Sequence, residues 1–201
     1  MSSPTGSVPG PDGRLRCPWG LSAEDYVAYH DTEWGRPLHG DDALFERLCL
    51  EAFQSGLSWL TILRRREGFR AAFKGFSIPA VAGFTETDVT RLLADTGIIR
   101  NRAKIEASIS NAQVAAELAE GELDALIWSY APDAATRRAP RTIADVPAIT
   151  DESTALSKDL KKRGFRFVGP TTAYALMQAC GLVDDHLADC VARGATAAPE
   201  G

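Results

Sequence analysis

Apolar residues along this chain recur every three or four positions and rarely alternate with polar ones. The clearest stretch covers residues 41–54, where Asp41 or Asp42 can cap a helix and the apolar stripe is Leu44, Phe45, Leu48 and Ala52. The same period predicts further helices near residues 23–30, 58–67, 101–119 and 121–128, and one that opens at Thr85. We find no convincing strand pattern and no internal repeat. The pattern predicts an all-α fold of about eight to ten helices.

Both ends of the chain and one internal stretch depart from this pattern. Residues 1–16 and 193–201 are predicted to be disordered tails, because Ser, Pro, Gly and other small residues replace the apolar stripe there. Residues 131–149 contain three prolines and are predicted to form an irregular connection. The folded domain is therefore expected to cover residues 17–192.

Residues 153–181 carry the clearest local motif. Two helical segments flank a tight turn, Gly164-Phe-Arg-Phe-Val-Gly169, and Pro170 suits the first turn of the second helix. These features predict a helix-hairpin-helix, whose backbone N–H groups and second-helix N-terminus can bind a DNA phosphate without reading sequence. Positive charge that would strengthen phosphate binding comes from Lys161, Lys162, Arg163 or Arg166. An ordinary αα-hairpin that turns a corner is the alternative.

Composition narrows the class of protein. A chain of 201 residues with 45% hydrophobic content can bury a full core as one domain or as two packed lobes. We expect a cytoplasmic protein, because no apolar run reaches membrane-spanning length and no signal peptide is visible. Four cysteines in such a chain argue against a disulfide framework. The net charge of −5 argues against strong nonspecific polyanion binding, although clusters such as Arg64–Arg66 leave a local basic face open.

Residues of the types that bind metals stand near both ends of the chain. Cys17 and His30 lie at the front, and His186 and Cys190 form H-x-x-x-C at the back. The i, i+4 spacing of the second pair predicts a helical segment that places both side chains on one face. If the two pairs meet, they form a closed Cys₂His₂ site of the kind that holds structural zinc. The alternative is that all four are ordinary core residues, and the spacing does not decide between the two.

Several multi-residue blocks in the chain occur together in one known family. They read C-P-W-G (17–20), Y-x-x-Y-H-D-x-E-W-G (26–35), L-E-x-x-x-x-G-L-S-W (50–59) and L-V-D-D-H-x-x-x-C (182–190). With the hairpin, they give residues 16–192 a dense resemblance to the 3-methyladenine DNA glycosylase I family, the Tag-type branch of the helix-hairpin-helix glycosylases. The resemblance implies an all-α, two-lobed fold with a base pocket in the cleft. It also implies a zinc clasp that joins the terminal regions through Cys17, His30, His186 and Cys190.

The activity that the resemblance implies is base-excision repair. A monomeric enzyme would hydrolyse the N-glycosidic bond of 3-methyladenine in alkylated double-stranded DNA, with water as the nucleophile. N3-methylation leaves adenine cationic and weakens that bond, so the main requirement is to rotate the base out of the stack. Two alternatives stay open: a noncatalytic zinc-clasped protein that binds damaged DNA, and a glycosylase of broader specificity that includes 3-methylguanine.

A cationic purine outside the helix suits a pocket of aromatic rings and one carboxylate. Tyr26 and Tyr29 stand one helical turn apart, and Trp59 follows the break at Gly56. By resemblance, Tyr29 and Trp59 stack on the base and Tyr26 shapes the pocket. Glu51 would be the catalytic-site carboxylate that accepts hydrogen bonds from the base. The alternatives are core packing for each ring and a salt bridge to a nearby arginine for Glu51.

The resemblance also assigns the hairpin and one aspartate. The DNA backbone would contact Gly164, Arg166, Val168, Gly169 and Thr171. Thr171 aligns with the lysine that forms a Schiff base in related enzymes that also cleave the backbone, and threonine has no amine. Asp184 takes the place of an aspartate that the wider superfamily uses. We favour a structural role for Asp184, in which it caps or supports the clasp.

Overall fold

The computed structural model describes residues 6–194, and its regular structure is almost entirely helical. The α-helices within that range are α1 (Glu24–Thr32), α2 (Asp41–Gln54), α3 (Trp59–Leu63), α4 (Arg66–Ala72), α5 (Ile78–Ala82), α6 (Glu86–Ala94), α7 (Arg102–Ala116), α8 (Glu122–Trp128), α9 (Asp151–Lys162) and α10 (Pro170–Ala179). Short 3-10 turns occur at Pro18–Leu21, Lys74–Phe76, Ala134–Thr136 and Ile143–Asp145. None of the helices in this range combines the length and hydropathy that a membrane-spanning segment requires. The predicted all-α class is confirmed.

The N-terminal segment differs from its prediction. Residues 8–16 form a small antiparallel hairpin of β1 (Val8–Pro9) and β2 (Leu15–Arg16), so the prediction of a disordered tail over residues 1–16 is wrong for this part. Arg16 stabilises the hairpin, because its buried guanidinium forms ion pairs with Asp12 at 2.7 Å and Asp31 at 2.8 Å. Residues 1–5 and 195–201 of the predicted tails lie outside the described residues.

Helix positions largely follow the apolar periodicity, but the capping groups do not. The predicted helix over 58–67 is divided into α3 and α4 at Arg64 and Arg65. Gly40, with φ +97°, occupies the N-cap position of α2 in place of the predicted aspartate. Asp41 instead accepts hydrogen bonds from the N–H groups of Gly121 and Asp124 at the start of α8, at 2.7 and 2.8 Å. Asp42 accepts one from Ile78 N, at the start of α5, at 2.9 Å. The side chains thus cap neighbouring helices.

The core lies around α2, which packs against α3, α7, α8 and α10. Its centre consists of phenylalanine rings with no exposed surface, at Phe45, Phe53, Phe69, Phe73 and Phe76. Burying one such side chain contributes about 1.5–3 kcal/mol. A second, smaller apolar cluster lies where the two ends of the chain meet, and it consists of Cys17, Leu187, Cys190 and Ala192.

Gly181, just after α10, allows the backbone of the segment that follows α1 to pack closely against the end of α10. Its φ is +73°, and a Cβ at this position would lie 2.3 Å from the carbonyl carbon of Arg36 and 2.5 Å from Pro37 N. Because both contacts are with backbone atoms, Gly181→Ala should lower the free energy of unfolding in urea by roughly 3 kcal/mol. Gly121→Ala is the matched control: φ is +78° but no atom lies within 4 Å, so about 1 kcal/mol is expected. Equal losses in the two variants would contradict this account.

Candidate functional site

A cavity of about 360 Å³ lies at the meeting point of the 3-10 turn Pro18–Leu21, α1, α2, α3 and α10. The four residues assigned to a base pocket by resemblance all line it: Tyr26, Tyr29, Glu51 and Trp59. The other lining residues were not predicted to belong to the pocket, and they are Trp19, Ser22, Trp34, Gln54, Ala175 and Gln178. Trp19 and Trp34 could have been found, because they belong to the same blocks, C-P-W-G and E-W-G, that carry the resemblance.

The rings of the cavity form one connected wall. Tyr29 and Trp59 have centroids 5.4 Å apart with an interplanar angle of 41°. Trp19 meets Tyr26 edge-on at 5.6 Å and Trp34 at 4.9 Å. Contacts of this kind add about 0.5–1.5 kcal/mol per pair and restrict the rings' motion. The Trp59 Nε1–H is buried and has no hydrogen-bond acceptor within residues 6–194, so the wall also contains an unpaired donor.

Glu51 is the one carboxylate in this wall, and it is only 5% exposed. Within the described chain its oxygens have no hydrogen-bond or ion-pair partner, so the predicted alternative of a salt bridge is absent there. Burial raises the pKa of Glu51 from its ordinary 4.5 to about 8, against the opposing effect of the Arg47 charge one helical turn earlier. The cavity therefore contains a carboxyl group without a hydrogen-bond or ion-pair partner in residues 6–194, and this group is ionised only reluctantly.

A neighbouring ion-pair network keeps the nearest arginine occupied. The buried guanidinium of Arg47 donates to Glu33 Oε2 at 2.8 Å, and Arg66 donates to both Glu33 oxygens. Although burial opposes ionisation, hydrogen bonds from Arg66 and Arg47 lower the pKa of Glu33 to about 2. Arg47 Cζ lies 5.9 Å from the Tyr29 ring centroid. The Arg47 guanidinium is thus engaged by Glu33, and Glu51 is left available to a ligand.

Three of the four predicted metal ligands come together. The ligand atoms of Cys17, His30 and Cys190 lie within 4.8 Å of one another and are buried, with Cys190 Sγ 3.5 Å from His30 Nε2. Asp31 Oδ1 lies 2.8 Å from His30 Nδ1, the outer partner typical of a metal-binding imidazole. Hydrogen bonds from Cys17 and His30 lower the pKa of Cys190, although burial opposes this. Two sulfurs and an imidazole fit Zn²⁺.

His186 stands beside this group. Its ring centroid lies 4.8 Å from that of His30, but its Nε2 contacts the His30 carbonyl oxygen at 3.2 Å and its Nδ1 contacts Asp184 Oδ1 at 2.8 Å. The expectation that residues 186–190 are helical is wrong, because this segment consists of bends and turns. His186 and Cys190 therefore approach the group through a loop and not from one helical face.

Asp184 is bound to the C-terminal segment. It accepts hydrogen bonds from the backbone N–H of His186 at 3.1 Å and of Gly194 at 3.0 Å. Burial opposes its ionisation, but these bonds and the His186 ring lower its pKa to about 2. Asp184 does not line the cavity. These contacts favour the structural role.

The predicted hairpin is a defined turn between α9 and α10. Gly164 has φ +104°, and the turn is held by Ser157 Oγ, which donates to Val168 O at 2.6 Å. Asn111 also holds it, because its side chain bonds both N and O of Arg166. Val168 is buried, whereas the remaining predicted DNA contacts are exposed or partly exposed, at Gly164, Arg166, Gly169 and Thr171. Among residues 6–194, no side chain forms a capping hydrogen bond at the N-terminus of α10.

The start of α10 lies on the same side as the aromatic cavity. A second cavity of about 300 Å³ is lined by Thr171 and Thr172 of α10, by Gly56 and the exposed Leu57, and by Glu51. A single ligand could therefore contact the uncapped helix terminus and reach Glu51.

Comparisons with known proteins agree on one family. The sequence model of the family described as methyladenine glycosylase matches residues 19–193. The chain is 47% identical over 178 residues to DNA-3-methyladenine glycosylase 1 of Escherichia coli K12, covering 87% of this chain and 95% of that protein. A solved 3-methyladenine DNA glycosylase I in complex with 3-methyladenine is similar at 38% identity and a TM-score of 0.83, covering 90% and 98%. The Staphylococcus aureus enzyme gives 38% identity and a TM-score of 0.82, covering 90% and 97%.

The raised pKa of Glu51 makes a prediction about stability. Below pH 4.5 the carboxyl group is protonated in both folded and unfolded chains; between pH 4.5 and about 8 the unfolded chain loses this proton first, so stability falls as pH rises. Glu51→Gln removes this loss. We expect its free energy of unfolding to exceed that of the wild type by roughly 5 kcal/mol at pH 9, with the difference shrinking toward pH 4.5.

Denaturant unfolding of both proteins across this pH range would measure the effect. Glu117→Gln is the control, because Glu117 is exposed and should show no such trend. A difference between wild type and Glu51→Gln that does not change with pH would contradict the assignment.

Proposed function

Because the chain belongs to the methyladenine glycosylase family, we propose that its aromatic cavity receives a flipped-out 3-methyladenine. The protein is a DNA-3-methyladenine glycosylase of base-excision repair. It hydrolyses the bond between the base and the deoxyribose in alkylated DNA and releases 3-methyladenine. The noncatalytic damaged-DNA binder is set aside, because relatives that match nearly their full length are glycosylases.

One observation carries the cavity's proposed role: the buried, unpartnered carboxylate of Glu51 among aromatic rings. A cationic purine supplies the positive countercharge that an ionised Glu51 lacks, whereas neutral adenine supplies none. With a pKa of about 8, Glu51 is mostly protonated in the empty cavity at neutral pH, and a cationic base favours its ionised form. Binding would then release a proton at neutral pH. The same carboxylate gives affinity and discrimination.

The rings would hold the base once it leaves the duplex. Stacking on Tyr29 and Trp59 contributes ~1–3 kcal/mol per base, and a desolvated cation–π contact ~2 kcal/mol. Tyr26, whose ring meets Trp19 edge-on, would shape the pocket. These contacts offset the cost of unstacking the nucleotide, which is a few kcal/mol.

The chemical step needs little acid catalysis, because methylation already makes the base a good leaving group. Water attacks C1′, the C1′–N9 bond breaks, its electron pair neutralises the base, and the proton of the water passes to solvent. Thr171, at the lysine position of backbone-cleaving relatives, has no amine with which to form a Schiff base. This supports hydrolysis without cleavage of the DNA backbone.

Chromatography of the bases released from methylated DNA tests the function. We expect the wild type to release 3-methyladenine and Glu51→Gln to do so roughly 10- to 100-fold more slowly, because the variant loses a charge-assisted contact. Glu117→Gln, an exposed substitution, should match the wild type. Release by Glu51→Gln at the wild-type rate would contradict the proposed role of this carboxylate. A wild type that releases no 3-methyladenine would contradict the activity itself.

We propose further that the turn at residues 164–169 and the start of α10 form a helix-hairpin-helix that binds the DNA backbone. The support is the uncapped N-terminus of α10, which presents free N–H groups and the positive end of the helix dipole. The exposed Arg166 lies beside it. The shared face with the base cavity fits a phosphate near the flipped nucleotide.

A charge placed at this terminus tests the hairpin. Thr171 is exposed at the second position of α10, and Thr87 is exposed at the same position of α6. Asp stabilises a helix N-terminus, so Thr171→Asp and Thr87→Asp should both fold. We expect only Thr171→Asp to weaken binding to duplex DNA, by about tenfold, while free 3-methyladenine binds as in the wild type. Equal effects of the two substitutions on DNA binding would argue against the hairpin.

We also propose a structural Zn²⁺ held by Cys17, His30 and Cys190, with His186 as the fourth ligand. The support is the close approach of two sulfurs and an imidazole with a carboxylate behind it. His186 would have to turn its Nε2 from the His30 carbonyl toward the sulfurs. Four protein ligands leave no coordination position for water, so the ion would join the two ends of the chain and take no part in the reaction.

Metal analysis of the purified protein tests the clasp. We expect about one zinc per chain and a substantial loss of zinc and of thermal stability in Cys190→Ser. Cys49→Ser is the control, since Cys49 is also buried but lies outside the group. Full zinc content in Cys190→Ser, or a wild type without metal, would contradict the proposal. A two-lobed shape, a monomeric state, a double-stranded substrate and a cytoplasmic location stay predictions.

A further inference from the structure

Gln178 is a polar residue of the cavity whose orientation the protein fixes. Its Nε2 donates to Asp185 Oδ2 at 2.9 Å. Asp185 is nearly fully buried, and its carboxylate also accepts from Arg137 Nη2 at 2.7 Å and from Tyr174 Oη at 2.5 Å. A reversed amide would place Gln178 Oε1 against a carboxylate oxygen, and two acceptors repel each other. The contact with Asp185 therefore determines which end of the amide faces which way.

The tether leaves the carbonyl oxygen of Gln178 available. Oε1 has no hydrogen-bond donor within residues 6–194, although Gln178 lines the cavity. Gln178 approaches from α10 and Glu51 from α2. Glu51 and Gln54 of α2 and Gln178 of α10 each bring an acceptor oxygen without a donor in residues 6–194, and of the two neutral amides only Gln178 is held in one orientation by a hydrogen bond there.

A neutral hydrogen-bond acceptor can discriminate between two purines that carry the same charge. N3-methylated adenine and guanine nucleotides both carry a positive charge, so Glu51 alone attracts both. They differ at C6, where adenine carries an amine that donates and guanine an oxygen that accepts. An immobile carbonyl oxygen accepts from the first and repels the second, which gives both an attractive and a repulsive contribution to specificity.

We propose that Gln178, held in place by Asp185, is a specificity-determining residue that favours 6-aminopurines over 6-oxopurines. The inference rests on the proposed function, because it requires that the flipped base occupy this cavity. Gln178 contacts the base, and Asp185 is a positioning residue that acts through it. The structural role of Asp185 in joining Arg137 and Tyr174 is separate and is not affected by which base is bound.

The test is the ratio of kcat/KM for release of 3-methyladenine to that for 3-methylguanine from methylated duplex DNA. Gln178→Met keeps the length of the side chain and removes its acceptor. We expect the ratio to fall about tenfold, because 3-methyladenine loses an acceptor and 3-methylguanine escapes a repulsion. Asp185→Asn should also lower the ratio, because an amide at 185 can donate to Oε1 and allow Gln178 to turn its Nε2 toward the base.

The double variant and one control separate specificity from structure. Asp185→Asn should lower the ratio no further when Gln178 is already Met, since the two residues act in series. Tyr174→Phe removes a donor to Asp185 but keeps the bond to Gln178, so its ratio should stay near that of the wild type. Circular dichroism and zinc content, measured for each variant, report on folding. If Gln178→Met does not fold, Gln178→Asn, which is too short to reach Asp185, takes its place.

Equal losses for both bases would mean a structural role and would overturn the proposal, as would an unchanged ratio. Either result with an active wild type leaves the proposed function intact. A wild type that releases no 3-methyladenine would instead remove the proposed function, and this inference with it.

Discussion

A carboxylate enclosed by aromatic rings and left without a partner is the constraint on which the site depends. Burying Glu51 disfavours its charge, as its pKa of about 8 shows. A fold selected for stability alone would pair this group or replace it. An unpaired carboxylate at this position makes sense if the cavity binds a cationic ligand, because the ligand then supplies a positive countercharge where water is largely excluded. The burial that makes an ionised Glu51 unfavourable in the empty cavity is therefore also what would make a cationic ligand bind selectively there.

The arrangement around Glu51 keeps that carboxylate free. Arg47 stands one turn earlier on α2 and would be its natural ion-pair partner, yet its guanidinium is directed to Glu33, which Arg66 also binds. The rings and the tethered amide of Gln178 line the same cavity as Glu51. Behind the wall, Arg47 and Arg66 both donate to Glu33, although Arg47 Nη1 has no partner in residues 6–194. The groups in the wall keep their hydrogen-bonding capacity for a ligand.

The region where the chain ends meet bears directly on this cavity. Tyr29 and His30 are consecutive in α1, one in the cavity wall and the other in the cysteine–histidine group. The Trp19 ring contacts both, with centroids 6.4 and 5.0 Å away. Anything that holds His30 in place therefore also fixes the aromatic wall. These contacts link the cysteine–histidine group near the termini to the wall of the aromatic cavity.

The sequence by itself determined the all-α class, most helix positions and the four assigned residues that line the cavity. Periodicity is local information, and the motif blocks carry the pocket residues within them. It did not reveal the hydrogen bond that orients Gln178, the cross-helix caps of Asp41 and Asp42, or the hairpin of residues 8–16, where Arg16 pairs with the distant Asp31. Whether Glu51 was paired or free was likewise decided only by tertiary structure. A side chain's partner depends on which surfaces fold against it, and contacts between residues far apart in sequence leave no periodic trace.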